Sequence, residues 1–280
     1  MSLVHHAERV VRANSVATWL SLRLFGTRAG ARRFFLVYAY FRWADDRVDA
    51  PDRQPARVRA FMDEQLARLD RRDVGPELAE RCLGQALAES DDERLARAVR
   101  TMAEALDFDA GRTGEPIRPD ELQEQIRRVG DAYTLALLHA AEVQVPVPEE
   151  LFLLARAATA THHLRDLLID QELGYLNLPR EHADRHGLPV RGFTDEALKP
   201  YVRERAARIR PMFQRGLVAC DGLPLRARLL FGLFAWRYRR LLDRLARPQR
   251  AGLLLDRDQH RGALAPQEDL ADAVSVHIGG

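Results

Sequence analysis

The chain has 280 residues, 30% of them charged, with 43 basic and 41 acidic side chains and a formal net charge of +2. That length suits one large domain, and near-neutral charge without a basic block interleaved with aromatics argues against nucleic acid as a partner. Two cysteines, Cys82 and Cys220, far apart and without CxxC spacing, suggest neither a zinc site nor a disulfide framework. With no signal-like N-terminus and no apolar run of the roughly 18 residues that span a bilayer, a cytoplasmic protein is expected, though a greasy substrate can bring it to a membrane surface.

In chain order, a first helix is expected from about Val4 to Leu24, ended by Phe25-Gly26. An acidic helix follows from about Ala31 to Val48, closed by Ala50-Pro51-Asp52, and a third spans Pro55 to Leu69. Pro76 opens a helix to about Glu89, and Asp91-Asp92 caps the next, which carries Leu95, Val99, Met102 and Leu106. Asp107 to Pro119 reads as a loop by its Gly and Pro content. Asp107 and Asp109 then either cap the turn, which their chemistry favours, or overhang a site.

A long helix runs from Glu121 to Glu142, and another from about Glu149 to Gln171 after Pro146 and Pro148. Gly174, Pro179 and Gly187 make the next stretch irregular, Asp195 caps a helix to Val218 bent near Pro200 and Pro211, and a last helix follows Pro224. The pattern ends after Pro248, so residues 1–250 read as one helical domain and 251–280 as a poorly anchored tail. Without alternating β-branched runs or internal repeats, the chain is expected to be all-α, with about eight or more helices around a central apolar cavity.

Two stretches carry the chemistry. In Phe34 to Asp49, Tyr38, Arg42, Asp45 and Asp49 follow at helical steps, so they share one face. In Thr159 to Pro179, Asp166 and Asp170 are again four apart, Arg165 adjoins them, and Thr159 and His162 lie on the same face. Alone, each pair reads as a solvated helix end. Facing each other across an apolar bundle, they describe a site for Mg2+ bound through carboxylates and the phosphates of a diphosphate. Metals and arginines on a departing diphosphate stabilise developing charge and let a carbon–oxygen bond break. The cation left behind must be allylic and needs aromatic walls, for which Phe34, Phe35, Tyr38, Phe41, Trp43 and Tyr133 are candidates.

These stretches resemble the signatures of the squalene/phytoene synthases, which have the isoprenoid synthase fold. VYAYFRWADDRVD is similar to that family's Tyr-Ala-x-x-Arg-x-x-Asp-Asp-x-x-Asp signature, and HHLRDLLIDQELGYLNLP to its Asn-Ile-Leu-Arg-Asp-x-x-x-Asp signature with the Gly and Leu-Pro that follow. The likeness covers about Asn14 to Gly187. It implies magnesium-dependent ionisation of an allylic prenyl diphosphate, with Asp45, Asp49, Asp166 and Asp170 holding the metals. Arg42 and Arg165 then hold diphosphate, and Tyr38 bonds beside it.

The departures from the family pattern are His162 for a metal-binding Asn, Thr159 for a Gln and Asn177 for a Tyr, with Gln125 and Arg127 before Val129-Gly130-Asp131 where tyrosines are usual. His162 is therefore a candidate metal ligand or a polar core contact, and Gln125, Asn177, Phe41 and Tyr133 are candidate substrate contacts. Because the altered positions are those associated with joining two prenyl diphosphates, the expected reaction is transfer of the prenyl group to a small-molecule acceptor, aromatic or heteroaromatic. The alternatives are head-to-head condensation to a squalene- or phytoene-like product and a non-catalytic prenyl-binding protein.

Overall fold

The computed structural model describes residues 2–50, 54–112, 114–189 and 191–247. Among them the chain is all-α, with no strand and a single isolated parallel bridge between Pro116 and Leu176.

The expected first helix is two. α1 (Leu3–Asn14) stops at Ser15, whose backbone is extended and whose Oγ accepts from Thr18 N at 3.2 Å to start α2 (Val16–Phe25). A serine in mid-pattern has recaptured the backbone donors that an interior residue would leave to the helix. Thr27 caps α3 (Arg28–Val48), its Oγ1 2.9 Å from Gly30 N. α4 (Pro55–Arg71) begins on its proline, and residues 51–53, expected to close α3, lie outside the described residues.

Pro76 precedes rather than enters α5 (Leu78–Ala88), which starts from a reciprocal Glu77–Glu80 capping box. Asp92 caps α6 as expected. That helix, Glu93–Ala110, continues a full turn into the segment expected to be loop, so Asp107 and Asp109 are helical. α7 (Pro119–Ala140) leads through a 3-10 turn, Glu149–Phe152, into α8 (Leu153–Leu173), and a short α9 (Arg180–Arg185) interrupts the irregular stretch. α10 (Asp195–Ala219) is capped by Thr194, one residue before the expected cap, and contains both Pro200 and Pro211. After a 3-10 turn, Cys220–Gly222, α11 (Leu225–Leu245) is the last described helix, and the expected tail 251–280 lies outside the described residues.

One hydrophobic cluster reaches from Ala7 and Val11 in α1 to Leu242 and Leu245 in α11. α3, α7 and α8 lie at its heart because glycines let their backbones close. A Cβ on Gly30 would sit 2.4 Å from the Ala140 carbonyl oxygen, and one on Gly130 would sit 2.6 Å from Arg156 N. Between α3, α6 and α7 the described residues line an apolar pocket of about 200 Å³.

Candidate active site

The stripe on α3 and the stripe on α8 meet, and α6 adds a fifth carboxylate. Asp45 comes from α3 and Asp49 from its C-cap, Asp109 from the last turn of α6, and Asp166 and Asp170 from α8. Their proximity is read in their acidity. Asp45 lines the apolar pocket with its side chain 39% exposed, and desolvation by the surrounding protein, then the charge of Asp49, pushes it up to about 7 against the pull of Arg42. Burial also raises Asp109 to about 6, with Asp49 adding to it and Arg112 opposing. Asp170 is raised well above the usual carboxylate range by burial and by Asp166, Asp109 and Asp49.

Asp166 behaves oppositely. Burial disfavours its charge, but the Arg165 guanidinium outweighs that and holds it below the usual range. Arg165 is buried and grips it with both arms of the guanidinium, Nε to Oδ1 at 2.6 Å and Nη2 to Oδ2 at 2.7 Å. On α3, Arg42 lies 3.3 Å from Asp45 and also hydrogen-bonds Asp46.

Two candidate substrate contacts, Gln125 and Asn177, hydrogen-bond the carboxylates. Asn177 Nδ2 donates to Asp170 Oδ2 at 2.6 Å, and Gln125 Nε2 donates to Asp109 Oδ2 at 2.7 Å and to the Ala105 carbonyl at 3.1 Å. Arg112 links the two, with Nη1 2.5 Å from Asn177 Oδ1 and 3.5 Å from Asp109 Oδ1. The bridge from Ile117 N to the Leu176 carbonyl, 2.9 Å, brings these segments side by side. Sequence reasoning missed Arg112 altogether and favoured a turn cap for Asp109. Asp109 continues the α6 face of Met102 and Leu106 at the next helical step, a signal overridden by the Gly and Pro that follow.

His162 has its Nε2 2.7 Å from the Tyr238 hydroxyl of α11, while its Nδ1 lies 3.8 Å from Asp166, too far for a direct hydrogen bond. Burial lowers it to about 4, as does the nearby Arg165, so it is neutral at pH 7. Tyr238 and Arg237, whose Nη1 is 3.0 Å from Ser15 Oγ, complete the wall from α11. They were missed because their contacts, to His162 and Ser15, lie 76 and 222 positions away in the chain.

Of the expected aromatic walls, Phe34, Tyr38, Phe41 and Tyr133 line the pocket, together with Arg42 and Asp45. Tyr133 stands edge-on to Phe34 at 5.9 Å and stacks on Phe234 at 5.4 Å. Burial lifts the Tyr38 phenol to about 12. Phe35 is buried away from this pocket, and Trp43 packs edge-on to Phe61 of α4 under the Arg47 guanidinium.

The donor set fits magnesium in chemistry. Carboxylates forced to share a recess, three of them with acidity weakened by one another, offer the hard oxygens this metal prefers. Among the described residues no three such groups are already gathered at metal-binding distance. His162 fits poorly, since one ring nitrogen is occupied by Tyr238 and imidazole is the softer ligand.

An all-helical bundle in which two aspartate-bearing helices face each other beside an apolar pocket defines a protein of the isoprenoid synthase class. The chain belongs to the squalene/phytoene synthase family, whose sequence profile matches residues 11–264, and which comprises prenyltransferases that use isoprenoid diphosphates. Its fold is similar to that of a dehydrosqualene synthase crystallised with ligand, with a TM-score of 0.71 and 17% identity over 98% of this chain and 97% of that one. It is also similar to squalene synthase HpnC from Alicyclobacillus acidocaldarius, with a TM-score of 0.67 and 19% identity over 86% and 92% of the two chains. A point variant of a cucumene synthase matches at a TM-score of 0.50 and 17% identity over 88% and 94%. At these identities the likeness is one of fold. No curated protein matches the chain in sequence.

Proposed function

We propose that the chain is a magnesium-dependent prenyltransferase that ionises an allylic prenyl diphosphate and joins the prenyl cation head to head to a second prenyl diphosphate. The observation that carries the reading is the convergence of Asp45, Asp49, Asp109, Asp166 and Asp170 from three helices at the mouth of an aromatic-lined pocket, in a chain of this family. Family membership moves the balance away from the aromatic acceptor that the substituted positions suggest by themselves.

Asp45, Asp49, Asp166 and Asp170 would hold the metal, with Asp109 beside them. Magnesium held there would stabilise the negative charge that develops on the diphosphate oxygen as it departs with the electron pair. Arg42 and Arg165, released from their aspartates, hold the departing oxygens. The faces of Phe34, Tyr38, Phe41 and Tyr133 keep water out and favour the cation by about 0.5–2 kcal/mol each. The carbon–oxygen bond breaks heterolytically, the cation is attacked by a double bond of the second prenyl chain, and a proton is lost. An intracellular reaction site at a membrane surface suits such substrates.

A second reading, transfer to a small aromatic or heteroaromatic acceptor, is favoured by one observation. Gln125, His162 and Asn177, at positions the resemblance associates with joining two prenyl chains, are tied to Asp109, Tyr238 and Asp170. The two are separated by supplying geranyl, farnesyl and geranylgeranyl diphosphate singly, with magnesium or with a chelator, and following diphosphate release and organic products by mass spectrometry. A dimeric cyclopropyl diphosphate, or the hydrocarbon formed when it loses its second diphosphate, supports head-to-head joining. Solvent-captured alcohol alone, or release only after an acceptor-containing extract is added, supports the second reading. No magnesium-dependent release from any of the three refutes both.

A further inference from the structure

Arg112 has no place in the reaction set out above, yet it stands among the groups that would carry it out. It follows Gly111, the C-cap of α6, and its side chain is only 11% exposed. The guanidinium lies 5.9 Å from the centre of the Phe108 ring and 5.7 Å from that of Tyr175. Taking such a charge out of water costs free energy, which paired groups and ring faces offset in part. An apolar side chain of similar length would fill the space without that cost, so the charge and its fork of donors call for an account.

The account lies in what Arg112 orients. Its Nη1 lies 3.5 Å from Asp109 Oδ1, while the other oxygen of that carboxylate accepts from Gln125 Nε2 at 2.7 Å. Asp109 thus faces protein donors through both oxygens and braces the guanidinium. In the other direction, the same Nη1 donates to Asn177 Oδ1 at 2.5 Å, which leaves Asn177 Nδ2 to donate to Asp170 Oδ2 at 2.6 Å. The two ends of an asparagine amide are alike in shape and opposite in hydrogen bonding. Turned over, this one would set its NH2 against the guanidinium and its oxygen against the carboxylate. The backbone is held by Tyr175 N to the Asp170 carbonyl at 2.7 Å, but the terminal torsion of asparagine is broad, and a partner must set it.

We infer that Arg112 is a positioning residue for the metal site: braced by Asp109, it sets the amide of Asn177, which in turn orients the Asp170 carboxylate for magnesium. The inference deepens the metal reading proposed above and rests on it. Asp109 becomes an anchor for Arg112 and not a metal ligand. The effect also has a sign that charge alone does not give. Removing a cation from beside carboxylates favours the arrival of another cation, or leaves it unchanged where Asp109 takes up a proton in compensation. Removing the partner that orients a ligand from behind weakens metal binding instead, by about 10–100-fold.

The test is calorimetric titration of the full-length protein with magnesium at about pH 8, where Asp45 and Asp109 are ionised. Arg112→Met removes both charge and fork, and Arg112→Lys keeps the charge without the fork. Affinity is expected to fall about tenfold in each, with helical content kept. Added to Asn177→Leu, either substitution should cost little more, about tenfold in all and not the roughly hundredfold of independent sites. Because Arg112→Lys disturbs packing least, it carries the comparison if Arg112→Met does not fold. Unchanged or tighter binding in Arg112→Lys overturns the inference. So does a double variant about a hundredfold weaker than the parent, which would separate Arg112 from Asn177. In both of those outcomes the metal reading stands, whereas a parent that takes up no magnesium overturns that reading and the inference with it.

Discussion

Asn177 donates its side-chain amide to Asp170 across the turn that ends α8, at 2.6 Å. The bond favours the charged form of a carboxylate that burial and three neighbouring aspartates push toward protonation. Partners that orient a metal ligand from behind typically matter about 10–100-fold in affinity. Asn177→Leu should therefore weaken magnesium binding by about tenfold at neutral pH, measured by calorimetry, with helical content unchanged. Unaltered affinity would remove Asp170 from the metal site.

The acidic cluster predicts an inverted pH dependence for the metal-free protein. Asp45, Asp109 and Asp170 are raised in the folded chain, to about 7 and about 6 for the first two, above the usual value of about 4 in an unfolded one. Between those values the folded state binds more protons than the unfolded, so stability from this cluster is lost as pH rises from about 4 to about 7. Asp166, held low, contributes with the opposite sign and only in stronger acid. The melting temperature without metal should fall from about pH 5 to about pH 8, and magnesium should raise it more at the upper end, where the carboxylates are ionised. Asp109→Asn should flatten the first trend.

Gly130 fixes the approach of α7 to α8. Because an added Cβ meets the backbone of Arg156 at 2.6 Å, and not a side chain that can swing away, Gly130→Ala should destabilise the protein by about 1–3 kcal/mol in urea unfolding. The same shift would move Asp131 from Arg156, which it now binds through Oδ1 to Nε at 2.6 Å and Oδ2 to Nη2 at 3.1 Å.

His139 is 2% exposed and joins three helices at the end of the bundle away from the carboxylates. Its Nε2 lies 2.8 Å from Arg33 Nε of α3, and its Nδ1 2.7 Å from Asp92 Oδ2 at the start of α6. His139→Ala takes one hydrogen-bond partner from each of Arg33 and Asp92 and leaves a buried cavity, and should cost about 2–3 kcal/mol, while diphosphate release at a permissive temperature is retained. A loss of catalysis greater than the loss of folded protein would show that this end of the bundle bears on the site.

How much of the fold and site is legible in the sequence follows from the range over which each signal acts. Tyr38, Arg42, Asp45 and Asp49 are readable because helical steps alone place them on one face, and the same holds for His162, Asp166 and Asp170. Asp109 reads as loop because Gly111 and Pro119 predict an early end to order, whereas the helix accommodates every residue up to Ala110. Ser15 is hidden inside an apolar pattern that its hydroxyl interrupts. Gln125 and Asn177 stand out as unusual, but which partner they take depends on a bridge between residues 116 and 176 that no local pattern encodes.

The bond between Ser15 and Arg237 spans 222 positions of sequence. During synthesis at about 5–20 residues per second, on the order of 10–40 seconds separate the emergence of its two ends from the ribosome. Over that interval α2, apolar on nearly every side, lacks the helix it finally lies against. The nascent chain thus carries its stickiest segment first and the segment that partners it last, so slowing elongation or removing α11 should increase chaperone dependence more than comparable changes in the middle of the chain.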